Sequence, residues 1–269
     1  MTAAVPIIVC GAAGRMGRTI TALVAAESRA RLHAAIEAHG HVTVGQDAGT
    51  LAGVSALGVP VSDDYAAAAA PGTVTLDFTA APAAVAHLRV AADAGAGIVI
   101  GTTGFSAAET RELDALAART RCVIAANMSV GINVLLMLVE QAARVLGPGF
   151  DAEIVEIHHR LKVDSPSGTA LALGHAAATG LRRDFDASKR LAREGIVGAR
   201  SDSEIGIVAL RGGDVVGDHT VVFAGMGERV ELTHRAHSRD CLARGAVRAG
   251  LWLAGQAPSR YSMRDVLGL

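Results

Sequence analysis

The chain has 269 residues, enough to bury one large core or two modest ones, and its 51% hydrophobic content argues against a disordered chain. Charged side chains make up 19% and nearly cancel to a formal −1, so there is no summed field to hold nucleic acid or an anionic membrane surface, and small-molecule chemistry is expected. Three cysteines, Cys10, Cys122 and Cys241, are odd in number and form no CxxC. That pattern argues against a disulfide framework and a zinc site and for a reducing cytoplasm.

The opening "MTAAVPIIVCGAAG" lacks a basic leader, and glycine soon breaks its apolar run, so it reads as a first strand and not as a signal peptide. No run of about 18 uncharged apolar residues follows, and no membrane span is predicted. Aliphatic runs then alternate with alanine-rich helical segments: "PIIVC", residues 15–26, "LHAAI", "TVTLDF", residues 82–94, "GIVIG", residues 107–119 and "CVIAAN". Continuous apolar strands separated by helices predict βαβ units around a parallel sheet covered on both faces, with right-handed crossovers.

"VCGAAGRMG" sets Gly11, Gly14 and Gly17 between the first strand and its helix, where backbone N–H groups face a pyrophosphate. The spacing is one residue longer than GxGxxG. Glu37 closes the next strand 20 residues after Gly17, the place of an acid that binds adenosine ribose hydroxyls. No Gly-Lys-Ser/Thr follows, which excludes a P-loop. "GTTG" at 101–104 and "AANMS" at 125–129 fall at the ends of later strands, and with the first loop they outline one cleft.

A long helix is predicted at "SVGINVLLMLVEQAARVLG", stopped by Gly147-Pro148-Gly149. "AEIVEIHH" alternates like a strand and "SGTALALGHAAATGL" reads as a helix. Residues 204–236 hold three strand-like runs separated by Gly-Gly-Asp and Gly-Met-Gly turns, and "RDCLARGAVRAGLWLAGQ" is amphipathic helix again. The predicted class is α/β: a Rossmann-like parallel-sheet nucleotide-binding domain with an inserted α+β substrate domain of mixed or antiparallel sheet.

"HHRLKVDSPSGTA", residues 158–170, concentrates polar chemistry in an aliphatic chain. Adjacent histidines on a strand point to opposite faces, and no HExxH or CxxC completes a metal set, so no metal is expected. Pro166 ends the preceding segment, Ser167 is an N-cap, and the amides of Gly168 and Thr169 open a helix. A helix start beside a lysine and two imidazoles suits carboxylate recognition and proton transfer.

The segment "EIVEIHHRLKVDSPSGTA" closely resembles the signature of bacterial 4-hydroxy-tetrahydrodipicolinate reductases (dihydrodipicolinate reductases), enzymes of lysine and diaminopimelate biosynthesis. "GAAGRMG", "DFT", "GTTG", "AANMSVGIN" and "THRAHSR…GAVRAGLWL" match in order, so the resemblance spans nearly the whole chain. It implies loss of water from a cyclic dicarboxylate and hydride delivery to its C4 from NADH or NADPH. It places proton donors at His158 and Lys162. Substrate-binding residues fall at His159, Ser167, Gly168 and Thr169. Cofactor contacts fall at Gly11, Ala12, Ala13, Gly14, Arg15, Met16, Gly17, Glu37, Gly101, Thr102, Thr103, Ala125, Ala126, Asn127 and Met128.

Two departures from the family pattern carry consequences. Relatives that use NADPH readily often have arginine after the ribose acid; here Ala38 and His39 follow Glu37. NADH preference is therefore expected, with NADPH admitted through Arg15 or protonated His39. Met128 replaces a common aromatic, which is expected to alter only packing at the nicotinamide. The resemblance implies a homotetramer and divides the chain into a dinucleotide-binding domain (1–126), a substrate-binding and tetramerisation domain (127–236) and a C-terminal helix returning to the first (237–269). Two other readings fit the loops: an NAD-dependent dehydrogenase of an aspartate-type amino acid, and a nicotinamide-nucleotide sensor without turnover. Neither accounts for the HHxxxK…SGT constellation.

Overall fold

The structure, a computed structural model, describes residues 3–269. Its contacts divide the chain into two compact units, one running to Val130 and resuming over Asp240–Gly268, the other Gly131–Arg239 with Leu269.

The first unit opens with β1 (Val5–Cys10), α1 (Arg15–Ala26), β2 (Ala30–Ile36), α2 (Ala48–Leu51), β3 (Val61–Ser62) and α3 (Tyr65–Ala68). It continues with β4 (Val74–Asp77), α4 (Ala81–Ala94), β5 (Gly97–Ile100), α5 (Ala107–Ala117) and β6 (Arg121–Ile124). In the second unit α6 (Val130–Leu146) leads to β7 (Asp151–His158), α7 (Gly168–Leu181), α8 (Phe185–Ser188), β8 (Lys189–Arg190), β9 (Ile205–Arg211), β10 (Gly217–Gly225) and β11 (Glu228–Ala236). The chain then rejoins the first unit through α9 (Asp240–Leu253), β12 (Ser259–Tyr261) and α10 (Met263–Leu267).

The first unit holds a seven-stranded parallel sheet in the order β12-β6-β5-β4-β1-β2-β3. β4 and β5 are buried at every position, as a sheet covered on both faces requires. Ile7 and Val9 of β1 face a core shared with α1 and α9, while Ile8 and Cys10 face one shared with α4 and α5. α1 begins without a side-chain cap, whereas α5 carries a capping box in which Ser106 and Glu109 satisfy each other's amides.

The second unit holds a five-stranded mixed sheet, β11-β10-β7-β9-β8. β10 is antiparallel to β7 and β11, while β7 and β9 are parallel, with α7 in the connection between them. Along β7 the buried phase is Ala152, Ile154 and Glu156, and Leu173 and Ala177 of α7 share the core with the first two. α6 buries Leu135, Val139 and Ala143 in that core, at the spacing of one helix face. By length and composition the stretch Val130–Gly149, with mean hydropathy 1.5, is apolar enough to cross a membrane. The two charges within it, Glu140 and Arg144, pair with each other at 2.6 Å one turn apart.

Candidate active site

In the first unit three strand ends are stitched into one floor. Gly11, at φ +74°, turns the chain out of β1, and a Cβ there would stand 3.1 Å from Thr79 Cγ2. A Cβ on Gly17 would lie 2.1 Å from the Gly11 carbonyl oxygen, so only glycine lets α1 seat this close to the loop. Asp77, fully buried at the end of β4, accepts from the Thr79 amide (2.9 Å), the Thr79 hydroxyl (2.7 Å) and His87 Nδ1 (2.6 Å). The Thr102 hydroxyl donates to the Thr79 carbonyl at 2.9 Å. At Gly101 the Phe78 ring leaves no room for a Cβ, which would fall 2.1 Å from it.

Above this floor is a cavity of about 330 Å³, lined among others by Gly11, Gly14, Glu37, Ala38, Phe78 and Thr79. Its size and its mixture of backbone, acid and aromatic groups fit part of a dinucleotide. Glu37 is fastened here, accepting the Ala13 amide at 2.9 Å and the Ala38 amide at 3.1 Å. The loop amides are otherwise committed: those of Gly11 and Ala12 bond to the Ile36 carbonyl, and that of Gly14 to Gly11. The amides of Arg15 and Met16 precede the first intrahelical bond, from Arg18 to Gly14, and are the ones suited to a phosphate.

The remaining expected cofactor residues divide by exposure. Thr103 and Ala126 are exposed, and Gly101, Ala125 and Asn127 are partly so. Ala12, Gly17 and Thr102 are buried. Met128 is also buried, packed in the core, with its carbonyl against the position where Gly245 has no side chain. His39 is tied to a second acid, its Nδ1 2.8 Å from Asp63. Phe78, Thr79 and His87 are cavity residues outside the expected set; the "DFT" motif carries the first two, and no motif points to His87.

Among the described residues, Cys10, Asp77 and His87 place donor atoms within 4.8 Å of one another, as a metal site would. Asp77 and His87 spend those atoms on each other, and burial pushes the Cys10 thiol well above its usual range. The group serves as part of the hydrogen-bonded floor.

The second unit assembles the polar stretch. β7 ends at His158, so His159 already belongs to the loop, where its Nε2 lies 3.4 Å from Arg239 Nη2. Lys162 is not a solvated charge: its Nζ donates to both oxygens of Asp164, at 2.8 and 2.9 Å. That contact holds the Asp164 carboxyl below its ordinary range. After a cis Ser165-Pro166 bond, Ser167 caps α7 by accepting the Ala170 amide at 3.2 Å. Apart from its chain neighbours and the backbone of its own helix, no atom among the described residues lies within 4 Å of a Cβ built on Gly168, so there is open space beside the residue that starts α7.

Under this turn sits Glu156, which the sequence reading also passes over. It is fully buried and accepts from His158 Nδ1 (2.5 Å), the Ser167 amide (3.0 Å) and both terminal nitrogens of Arg211 (2.9 and 3.0 Å). Burial alone would raise its pKa; the bonds from Arg211, His158 and Ser167 outweigh it and hold the carboxyl below its ordinary value. His219 packs edge-on against His158 with centroids 5.1 Å apart, and its Nε2 is 3.2 Å from the Ser167 hydroxyl. Burial lowers His219 to about 4, with the nearby His158 adding to the effect. The His219 ring shares its Nε2 hydrogen bond with the Ser167 hydroxyl, and its Nδ1 is buried without a partner among the described residues.

Comparison with known proteins gives a consistent picture. The family described as "Dihydrodipicolinate reductase, N-terminus" matches residues 5–128, and "Dihydrodipicolinate reductase, C-terminus" matches 131–267. A 4-hydroxy-tetrahydrodipicolinate reductase of Citrifermentans bemidjiense is 50% identical, covering 98% of this chain and 99% of that protein. One from an Anaeromyxobacter species is 53% identical, covering 98% of each. Among solved structures, the dipicolinate-bound dihydrodipicolinate reductase of Paenisporosarcina sp. TG-14 superposes with a TM-score of 0.75 at 22% identity, over 97% of this chain and 98% of that one.

Proposed function

The chain belongs to the dihydrodipicolinate reductase family of oxidoreductases, and on that premise we propose that it reduces 4-hydroxy-tetrahydrodipicolinate to tetrahydrodipicolinate in lysine and diaminopimelate biosynthesis. The observation that carries this reading is the adjacency, inside one unit, of the His158 imidazole and the Ser167 cap of α7, both bonded to Glu156, with open space beside Gly168. It joins a proton donor to an anion cradle. An aspartate-type dehydrogenase or a nucleotide sensor gives no reason for that pairing.

In this reading the amides of Gly168 and Thr169 and the Ser167 cap hold a substrate carboxylate at the helix start, with His159 as a further contact. Lys162, released from Asp164 by the incoming dianion, supplies positive charge and a proton. His158 donates through Nε2, since Glu156 occupies the Nδ1 side. A nicotinamide cofactor, when bound, supplies the hydride. Glu37 would hold its adenosine ribose, the amides of Arg15 and Met16 its phosphates, and Gly101, Thr103 and Ala125 to Asn127 its nicotinamide end.

NADH is the preferred cofactor. A 2′-phosphate beside Glu37 would meet its carboxylate, and the neighbouring His39 is already paired with a second acid, Asp63, so little positive charge compensates. No metal takes part. The assembly is a homotetramer joined through the sheet face that carries Val155 and Ile157 and exposes Val208 and Leu210, 42% and 46% accessible. Light scattering at micromolar concentration should give four times the chain mass, and a monomer would refute that part. The compartment is the cytoplasm.

The reaction is tested by following product with purified protein, 4-hydroxy-tetrahydrodipicolinate and reduced cofactor. Stoichiometric tetrahydrodipicolinate is expected. Cofactor binding without product would remove the substrate assignment.

A further inference from the structure

Glu156 lies in the apolar phase of β7, in line with Ala152 and Ile154, with no exposure of its side chain. A buried carboxylate survives there only if fully compensated, and exchanging a buried ion pair for apolar residues is often neutral or better for stability. Stability therefore does not call for a charge at this position.

What the charge does is visible in its partners. Each oxygen takes two hydrogen bonds: Oε2 from His158 Nδ1 and Arg211 Nη1, Oε1 from the Ser167 amide and Arg211 Nη2. His158 is the residue before the loop 159–166, Ser167 the residue after it, and Arg211 Nη2 also donates to the Asp164 carbonyl within it, at 2.7 Å. One carboxylate and its arginine thus fix both ends and the middle of the loop that carries Lys162.

The geometry points to Glu156 as the positioning residue of this site, a buried carboxylate that holds the His158 imidazole and the first turn of α7 in register so that proton delivery and carboxylate binding occur at one place. A carboxylate only accepts, so the Nδ1 proton stays on His158, donated to Glu156 before and after transfer, and the exchanged proton leaves from Nε2. Nε2 is on the Gly217 side, where a Cβ would come within 3.0 Å of it. This inference rests on the reading of the site given above.

The test compares wild type with Glu156→Gln and with Glu156→Gln/Arg211→Gln, which leaves no lone buried charge. Steady-state constants for substrate and for NADH are measured in water and deuterium oxide, with NADH binding as the check on folding. By analogy with other residues that orient a functional imidazole, kcat should fall about 100-fold or more. The substrate KM should rise severalfold, the NADH KM should stay unchanged, and the solvent isotope effect on kcat should grow because proton delivery becomes slower. A merely structural role would lower the active fraction alone, leaving both KM values and the isotope effect as in wild type. That result, or kcat within about twofold of wild type in whichever variant binds NADH normally, overturns the proposal. Wild type that oxidises no cofactor on this substrate would instead sink the assignment of the reaction, and the positioning role with it.

Discussion

Glu37 Oε2 accepts the Ala13 amide at 2.9 Å, which fastens the acid at the end of β2 to the glycine loop it faces. In the proposed cofactor site this carboxylate would meet the ribose hydroxyls and would repel a phosphate in the same place. Changing Glu37→Ala together with Ala38→Arg should raise the ratio of kcat/KM for NADPH over NADH by about 100-fold, since a repulsive group is replaced by one that pairs with the phosphate. An unchanged ratio would mean that Glu37 does not set the preference.

Two glycines should respond in opposite ways to the same added methyl. Gly17→Ala drives a Cβ to 2.1 Å from the Gly11 carbonyl oxygen, so a loss of about 2 kcal/mol of stability is expected, along with weaker NADH binding. Gly168→Ala meets nothing beyond its chain neighbours and its own helix backbone, and alanine suits a helix by up to about 1 kcal/mol over glycine. Its melting temperature should hold or rise while the substrate KM increases. Thermal melts beside steady-state kinetics check both, and an unaltered substrate KM in Gly168→Ala would count against the helix start as the carboxylate site.

His219 gives the fold a dependence on acid. Its folded-state pKa is lowered by burial to about 4 from an ordinary 6.5, so between these values the unfolded chain binds a proton that the folded chain does not. Stability then rises with pH across that window, and it falls as the pH drops from about 6.5 toward 4, by at most about 3 kcal/mol for this residue. His234, also lowered by burial, adds in the same direction. Denaturant unfolding of wild type and His219→Gln at pH 6.5 and 5, where carboxylates stay mostly ionised and contribute alike to both proteins, should show a smaller loss in the variant; equal losses would contradict the assignment.

The parallel sheet was legible because its strands are unbroken aliphatic runs between helices, as "GIVIG" shows. β3 and β12 are two and three residues long and carry no periodicity to read. The parallel pairing of β7 with β9 was hidden because glycine turns farther along suggest hairpins, while the crossover helix α7 lies ahead of them.

Within the candidate site, the motifs pointed to His158, Lys162 and the α7 start, whose roles are proposed, but not to the buried groups under them. For Glu156 and His219 a signal existed: each falls on the apolar phase of an alternating strand, Glu156 with Ala152 and Ile154, His219 with Val221 and Phe223. A polar residue in that phase calls for a partner. The partners come from Arg211 and Ser167, distant in sequence, and only the fold brings them together.

The most direct test of the account is the rate of NADH oxidation on 4-hydroxy-tetrahydrodipicolinate by wild type beside Lys162→Ala and His158→Ala. The account predicts rapid oxidation by wild type and losses of about 100-fold or more in both variants, the scale of a lost proton donor, with NADH binding retained. Variants that turn over as wild type does would show that the HHRLK loop is not where the chemistry happens, and a wild type that binds NADH but oxidises none would contradict the function itself.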